Sequence, residues 1–254
     1  TPIHSSAASD VYKRQAGLMV EAVEHARRVA IQRIGELGKR FGIADDRIFV
    51  EQGHPATVVH NIAERLDADC IVAGTHGQHG ISLFFGSTAN ALIHGLDCDA
   101  WLVRVPDEAA DARQPGDRGR VVCAVDSTED SDQILGVARD VASARGADLT
   151  LVTVVKPVAQ VYGGLDLAVL GQPGLSFEAE AMAKAREWLQ AKRTAFGLDE
   201  KVCDVEAVLG HPPTEIRSVA ERVEADVIVM GSHGRHGLKR ILGSTANGVL
   251  HGVG

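Results

Sequence analysis

The sequence predicts an α/β protein built from two doubly wound parallel-sheet domains, the first copy lacking its first strands and the second its last strand. Three observations predict this. Residues 53–95 and 210–252 align without a gap at an offset of 157, and self-similarity over that distance marks a repeated domain. Within each copy, short apolar runs alternate with stretches of helical period, the pattern of strands joined by crossover helices. A glycine-containing loop follows the last apolar run that the copies share, at the place where an open parallel sheet holds its ligands.

The repeat is legible residue by residue. Gly53-His54-Pro55 answers Gly210-His211-Pro212, and Glu64-Arg65 with Ala68-Asp69 answers Glu221-Arg222 with Ala225-Asp226. Gly74–Gly95 and Gly231–Gly252 share 12 of 22 positions.

The second copy shows the order of elements most fully. Val121–Val125 is an apolar run ending at Asp126, and the following Ser-Thr-Glu-Asp-Ser starts a helix whose Ile134, Ala138, Val141 and Ala142 keep one face apolar. Asp148–Val155 reads as the second strand. A long helix follows, with Phe177, Ala181, Ala185, Trp188 and Leu189 on its apolar face. Val202–Leu209 reads as the third strand, and Pro212 suits the first turn of the next helix, where its missing N–H costs nothing. Ile216, Val219, Ala220 and Val223 give that helix its stripe. Asp226–Met230 is a continuous apolar run of the kind covered on both faces, and Ser244–His251 begins the last helix.

The first copy shows only the later part of this pattern. It predicts a helix over 18–41, a strand over Arg47–Glu51, a helix over Pro55–Leu66, a strand over Asp69–Ala73, a helix over Ser87–His94 and a strand over Ala100–Val105. It has no counterpart of Val121–Val155. Residues 1–16 lack strand periodicity and are expected to be non-native or disordered. The partial first domain is expected over 17–105, a Pro- and Gly-containing linker over 106–119, and the second domain over 120–254.

Composition narrows the function. A net charge of -8 and an aromatic fraction of 4% argue against nucleic-acid binding, which needs a basic face and stacking surfaces. The apolar runs are too short to span a bilayer and no secretory signal is visible, so a cytoplasmic location is expected. Cys70, Cys98, Cys123 and Cys203 are scattered singly and are expected to be buried apolar residues in a reducing compartment.

The glycine loops carry the chemical expectation. Gly231 and Gly234 let the backbone approach a phosphate closely, and Gly243 and Ser244 open a helix whose N–H groups attract anions. The Ser244 hydroxyl caps that helix or bonds a phosphate oxygen. Asp126, at the end of the first strand, is placed to accept from a ribose hydroxyl. Gly74, Gly77, Gly86 and Ser87 repeat the phosphate side in the first copy, without an aspartate to complete it.

VVCAVDSTEDS (121–131), GHPPTEIRSVAERVEADVIVMGSHG (210–234) and the closing GSTANGVLHG resemble the universal stress protein family. The resemblance covers nearly all of 120–254 and, partially, about 17–105. It implies the fold shared with adenine nucleotide alpha hydrolases, a five-stranded parallel sheet with flanking helices, and self-association through sheet edges, as an intrachain pseudo-dimer or a homodimer. For one branch it implies ATP binding, marked by Gly-x2-Gly-x9-Gly-Ser/Thr. Carried onto this chain, that pattern gives Gly231, Gly234, Gly243 and Ser244 for the phosphates, and Val125 and Asp126 near adenine and ribose; His233 and Thr245 are further candidate nucleotide contacts. The expected cofactor is ATP or a related adenine nucleotide, with no metal beyond accompanying Mg2+. Here the interval from Gly234 to Gly243 holds eight residues, one fewer than the pattern, so the branch that binds no nucleotide stays open.

The pairs His76/His79 and His233/His236 invite a metal reading, but zinc takes three or four ligands and no further ligand lies at suitable spacing. Loop and cap hydrogen bonding is the simpler role, with a pH-sensitive phosphate contact by His233 as the alternative. Arg235, Lys239 and Arg240 make the second loop locally basic, whereas the first carries Gln78, Ser82 and Leu83. No catalytic triad, Walker lysine motif or carboxylate pair is recognisable, and no enzyme activity is expected. The leading expectation is a nucleotide-binding regulatory module, beside a dimerisation and interaction scaffold and, from a different class, a slow ATPase.

Overall fold

The computed structural model describes the backbone of residues 4–75, 86–104, 118–128, 130–157, 173–232 and 242–252, and the side chains of these except 4–15 and 173–176. The chain forms two compact units, Thr1–Asn61 and Ile62–Gly254.

Unit one contains helix α1, His4–Arg40, a 3-10 turn at Asp45–Arg47 and the start of helix α2, Pro55–Leu66. The helix begins earlier than Leu18, passing through the segment that showed no periodicity. The strand expected at Arg47–Glu51 does not form. The missing neighbour explains this: its counterpart in the second copy is hydrogen-bonded along a strand for which the first copy has no sequence, and a strand forms only where a neighbour completes its ladder. The same absence leaves Leu18, Met19, Leu37 and Phe41 of this unit exposed.

In unit two, β1 (Cys70–Gly74) and β2 (Asp99–Val103) flank helix α3 (Ser87–Ile93) and pair in parallel, with Cys70 opposite Asp99 and Val72 opposite Trp101. Helix α3 buries Ala89, Leu92 and Ile93. One face of the pair is bare: Cys70, Val72 and Gly74 are exposed while Ile71 and Ala73 are half-buried. The helix that covers the corresponding face in the second copy belongs to the stretch the first copy lacks.

The second copy folds as β3 (Arg120–Ala124), α4 (Ser131–Arg145), β4 (Asp148–Val155), α5 (Pro173–Ala195), β5 (Cys203–Leu209), α6 (Pro212–Arg222), β6 (Val227–Met230) and α7 (Ser244–Leu250). All three pairings are parallel and the strand order is β5-β4-β3-β6. Alternate residues of β3 point into separate cores, as the pleat requires. Val121, Cys123 and Val125 join Leu149, Leu151 and Val205 under Leu135, Ala138 and Ala142 of α4 and Leu189 of α5. Val122, Ala124 and Val152 pack under Ile216, Val219 and Ala220 of α6 and Val249 of α7. This is the doubly wound arrangement that the alternating pattern predicts.

Three burial expectations are corrected. Phe177 is 63% exposed, because a helix as long as α5 runs ~34 Å while β4 spans ~26 Å, so the first turns overhang the sheet. β6 is half-buried throughout rather than covered on both faces, because it is the edge of the sheet. Among the cysteines, Cys123 and Cys203 are buried as expected, but Cys70 is exposed and Cys98 half-buried.

Helices α6 and α7 pack closely at one glycine. A Cβ on Gly248 would lie 2.7 Å from Cγ and 2.8 Å from Cβ of Pro213. The equivalent residues of the first copy are Ala91 and Ala56, so each copy pairs sizes differently at this position. Gly248→Ala is therefore expected to cost about 1–3 kcal/mol by overpacking. In denaturant unfolding, adding Pro213→Ala should restore much of that loss; strictly additive effects would show that the two residues do not compete for the same space.

Candidate functional site

The strand order creates the site. The chain runs outward from β3 through β4 to β5 and then returns to β6 on the other side of β3, so the direction of winding reverses between β3 and β6. Crossover connections depart to opposite faces there and leave a crevice beyond the carboxyl ends of the two strands. Val125 and Asp126 follow β3, and Gly231 and Ser232 follow β6. Val121 opposite Val227 and Ala124 opposite Met230 keep those ends level.

At the β3 end, Asp126 sits in a turn built by small hydroxyl residues. Its Oδ1 accepts from the Thr128 N–H at 3.3 Å and from the Thr128 hydroxyl at 2.5 Å. The Ser131 hydroxyl, only 1% exposed, lies against the carbonyl oxygens of Asp126 and of Thr128, the latter at 2.8 Å. Aspartate followed two residues later by a hydroxyl donor favours this local turn over continued strand. The carboxylate stays at the exposed edge of the crevice.

Val125 borders the cleft at the end of β3. Its side chain is in the core at 6% exposure, and its N–H donates to the Val152 carbonyl at 3.0 Å. What it offers a ligand is limited to its backbone edge.

At the β6 end, the loop is closed at its neck. The Gly243 N–H, one of the amides expected to face an anion, donates to the Ser232 carbonyl at 2.7 Å. The first copy repeats this bond: the Gly86 N–H donates to the Thr75 carbonyl at 2.8 Å. Gly243 rather than Ser244 is the residue before the helix, with φ -62 and ψ 147, and no side chain caps α7. The Gly243 carbonyl accepts the first helical bond, from the Asn247 N–H at 2.9 Å. Ser244 is exposed and Thr245 half-buried in the first turn. Backbone N–H groups of that turn precede the first i→i+4 donor and so have no helical acceptor.

Val125, Asp126, Gly231, Gly243, Ser244 and Thr245 all border one cleft of about 2130 Å³ within unit two. Fitted small-molecule sites occupy roughly 300–1,000 Å³, so this is an open cleft and not a fitted pocket. His233 and Gly234 lie outside the described residues, as do the pairs His76/His79 and His233/His236 and the basic residues Arg235, Lys239 and Arg240. Among the described residues, no group of three or more His, Cys, Asp or Glu is placed to hold a metal ion, and no helix is long and apolar enough to cross a membrane. The buried Ser131 hydroxyl and the two loop-neck bonds were not foreseen. The signal for the first was the run of cap-forming residues after Asp126, and for the second the recurrence of Gly86 and Gly243 at equivalent positions.

A doubly wound parallel sheet whose winding reverses between β3 and β6 defines an α/β module with a crevice at its switch point. The model of the universal stress protein family matches residues 1–104 and 118–253, and the chain belongs to that family. It is 35% identical over 104 residues to universal stress protein A homolog 2 of Coxiella burnetii, covering 40% of this chain and 68% of that one. A universal stress protein of Mycobacterium tuberculosis is 29% identical over 191 residues, covering 73% of this chain and 59% of its own length. Two solved structures share the fold. A universal stress protein from Archaeoglobus fulgidus has a TM-score of 0.57 at 18% identity, covering 91% of this chain and 74% of that one. A functionally unknown protein from Pseudomonas aeruginosa has a TM-score of 0.60 at 14% identity, covering 89% and 74%.

Proposed function

We propose that the second copy is an adenine-nucleotide-binding regulatory module, in which ATP or a related nucleotide stabilises one conformation or association state and is not consumed. The observation that carries this reading is the placement of Asp126 and the start of α7 on the two sides of one switch-point crevice. A carboxylate on one side suits ribose hydroxyl donors, and first-turn N–H groups without a helical acceptor, with the Ser244 hydroxyl, suit phosphate oxygens on the other. Such a nucleotide would bring Mg2+ with it, and its base would lie along the backbone of Val125.

The protein is not proposed to be an enzyme, to span a membrane or to bind nucleic acid, and a cytoplasmic location accords with its composition. Self-association through sheet edges is part of the same reading. β6, and the side of β2 away from β1, have no further strand among the described residues, and open strand edges pair readily.

The test is calorimetric titration of the full chain with Mg-ATP. The parent is expected to bind, and Asp126→Ala to weaken binding about 10- to 100-fold, the worth of about 1.5–3 kcal/mol for a hydrogen bond to a charged group. Asp126→Asn keeps an acceptor for Thr128 and loses the charge, separating turn structure from ligand contact. No heat from the parent would leave the interaction-scaffold reading. Phosphate release by the parent well above that of Ser244→Ala would favour the slow ATPase.

A further inference from the structure

The exposed and half-buried cysteines are neighbours across the start of the β1–β2 pair, offset by one residue, an arrangement that linear spacing conceals. Cys70 opens β1 opposite Asp99, so Cys98 is offset from Cys70 by a single residue. The peptide joining Cys98 to Asp99 runs beside the one joining Asp69 to Cys70, fastened by the Asp99 N–H donating to the Asp69 carbonyl at 3.1 Å. Neighbouring strands lie ~4.8 Å apart and one residue advances ~3.3 Å, which places the two Cα atoms ~5.8 Å apart. Bridged cysteines have Cα separations of about 4.4–6.8 Å. Cys98 lies in the bend before β2, so its side chain is not bound to the alternation of the pleat.

We propose that Cys70 and Cys98 form a reversible redox pair, oxidised to an intrachain disulfide by a low-molecular-weight disulfide such as oxidised glutathione. The thiolate of exposed Cys70 attacks one glutathione sulfur; the mixed disulfide forms and one glutathione thiolate leaves. The thiolate of Cys98 then attacks the Cys70 sulfur and displaces the second glutathione. Two protein thiols lose two protons and two electrons, and the glutathione disulfide takes up both electrons. A dithiol reductant reverses the sequence. The closed ring contains the loop neck at Thr75 and Gly86 and helix α3, so oxidation would fasten both ends of the segment that carries the first glycine loop.

The surroundings set the pH dependence. Partial burial, then the carboxylate of Asp99 and more weakly that of Asp69, hold the Cys70 thiol above its ordinary range, against a lowering hydrogen bond from the Trp101 backbone. Partial burial, Cys70 itself and the carboxylates of Asp99, Asp97 and Asp69 do the same to Cys98. The thiolates are the attacking species, so the rate should keep rising as pH climbs through and past the ordinary thiol range. Cys123 and Cys203 are internal controls. Burial pushes their thiols up to about 12 and about 11, and both are enclosed in the core.

The experiment is peptide mapping by mass spectrometry of the full chain after exposure to oxidised glutathione at mildly alkaline pH. The expected product is one linked pair of peptides carrying Cys70 and Cys98, lost on dithiol treatment, with Cys123 and Cys203 still thiols. In Cys98→Ser, Cys70 is expected to stop at the glutathione mixed disulfide. A parent protein that also stops there, that links Cys70 or Cys98 to another residue, or that remains fully reduced while Cys70 reacts with an alkylating reagent overturns the pairing. Nucleotide binding does not enter this test.

Discussion

Leu151→Ala should lower the unfolding free energy by about 2–5 kcal/mol, the usual cost of truncating a buried leucine to alanine. Leu151 is 0% exposed in β4, a strand paired on both sides, and lies in the core formed with Leu135 of α4 and Leu189 of α5. Two helices and two neighbouring strands constrain the space, so collapse into the cavity is limited and the upper part of the range is expected. Urea unfolding followed by far-ultraviolet circular dichroism measures it. A surface control such as Gln190→Ala should change stability far less. A loss for Leu151→Ala no greater than the control's would mean that β4 is not the centre of the second core.

Ser131→Ala should cost about 1–3 kcal/mol despite removing a single oxygen. The hydroxyl is buried and lies against two main-chain carbonyls at the β3–α4 turn; deleting this buried donor takes a partner from the Asp126 carbonyl, while the Thr128 carbonyl keeps the Ser131 N–H at 3.3 Å. The effect should reach function, because the same turn holds Asp126. Ser131→Ala is expected to weaken Mg-ATP binding as well as stability, while Ser131→Thr preserves a donor and retains more of both. Calorimetry and thermal unfolding on the same samples separate the two effects. Unchanged stability in Ser131→Ala would show that the carbonyls find other donors and that the hydroxyl does not organise the turn.

Much of the second copy was legible because its local and global preferences agree. The Val121–Val125 run, the Asp148–Val155 run and the stripe of Ile216, Val219 and Ala220 each carry the period of the element they form, and the fold buries the faces those periods marked. The first copy was less legible for one physical reason. Ile48 and Val50 have strand-like neighbours in sequence, but a strand is a relation between two stretches of backbone, and no strand pairs with this stretch among the described residues. Phe177 and Cys70 were misjudged similarly: both are apolar enough to be buried, and whether they are depends on how far the sheet extends beneath them.

The candidate site divides along the same line. Sequence by itself determined the repeat, the α/β alternation, the family, and the position of Asp126 and the glycine loops at strand ends, because these depend on residue type and spacing along one chain. Only the tertiary structure decided that the Gly243 N–H is committed to Ser232, that Val125 faces the core, that Ser131 anchors the Asp126 turn, and that Cys70 and Cys98 fall one residue apart in register on neighbouring strands. Those outcomes depend on which backbone groups come within hydrogen-bond reach across long intervals of sequence, a quantity set by strand register and packing.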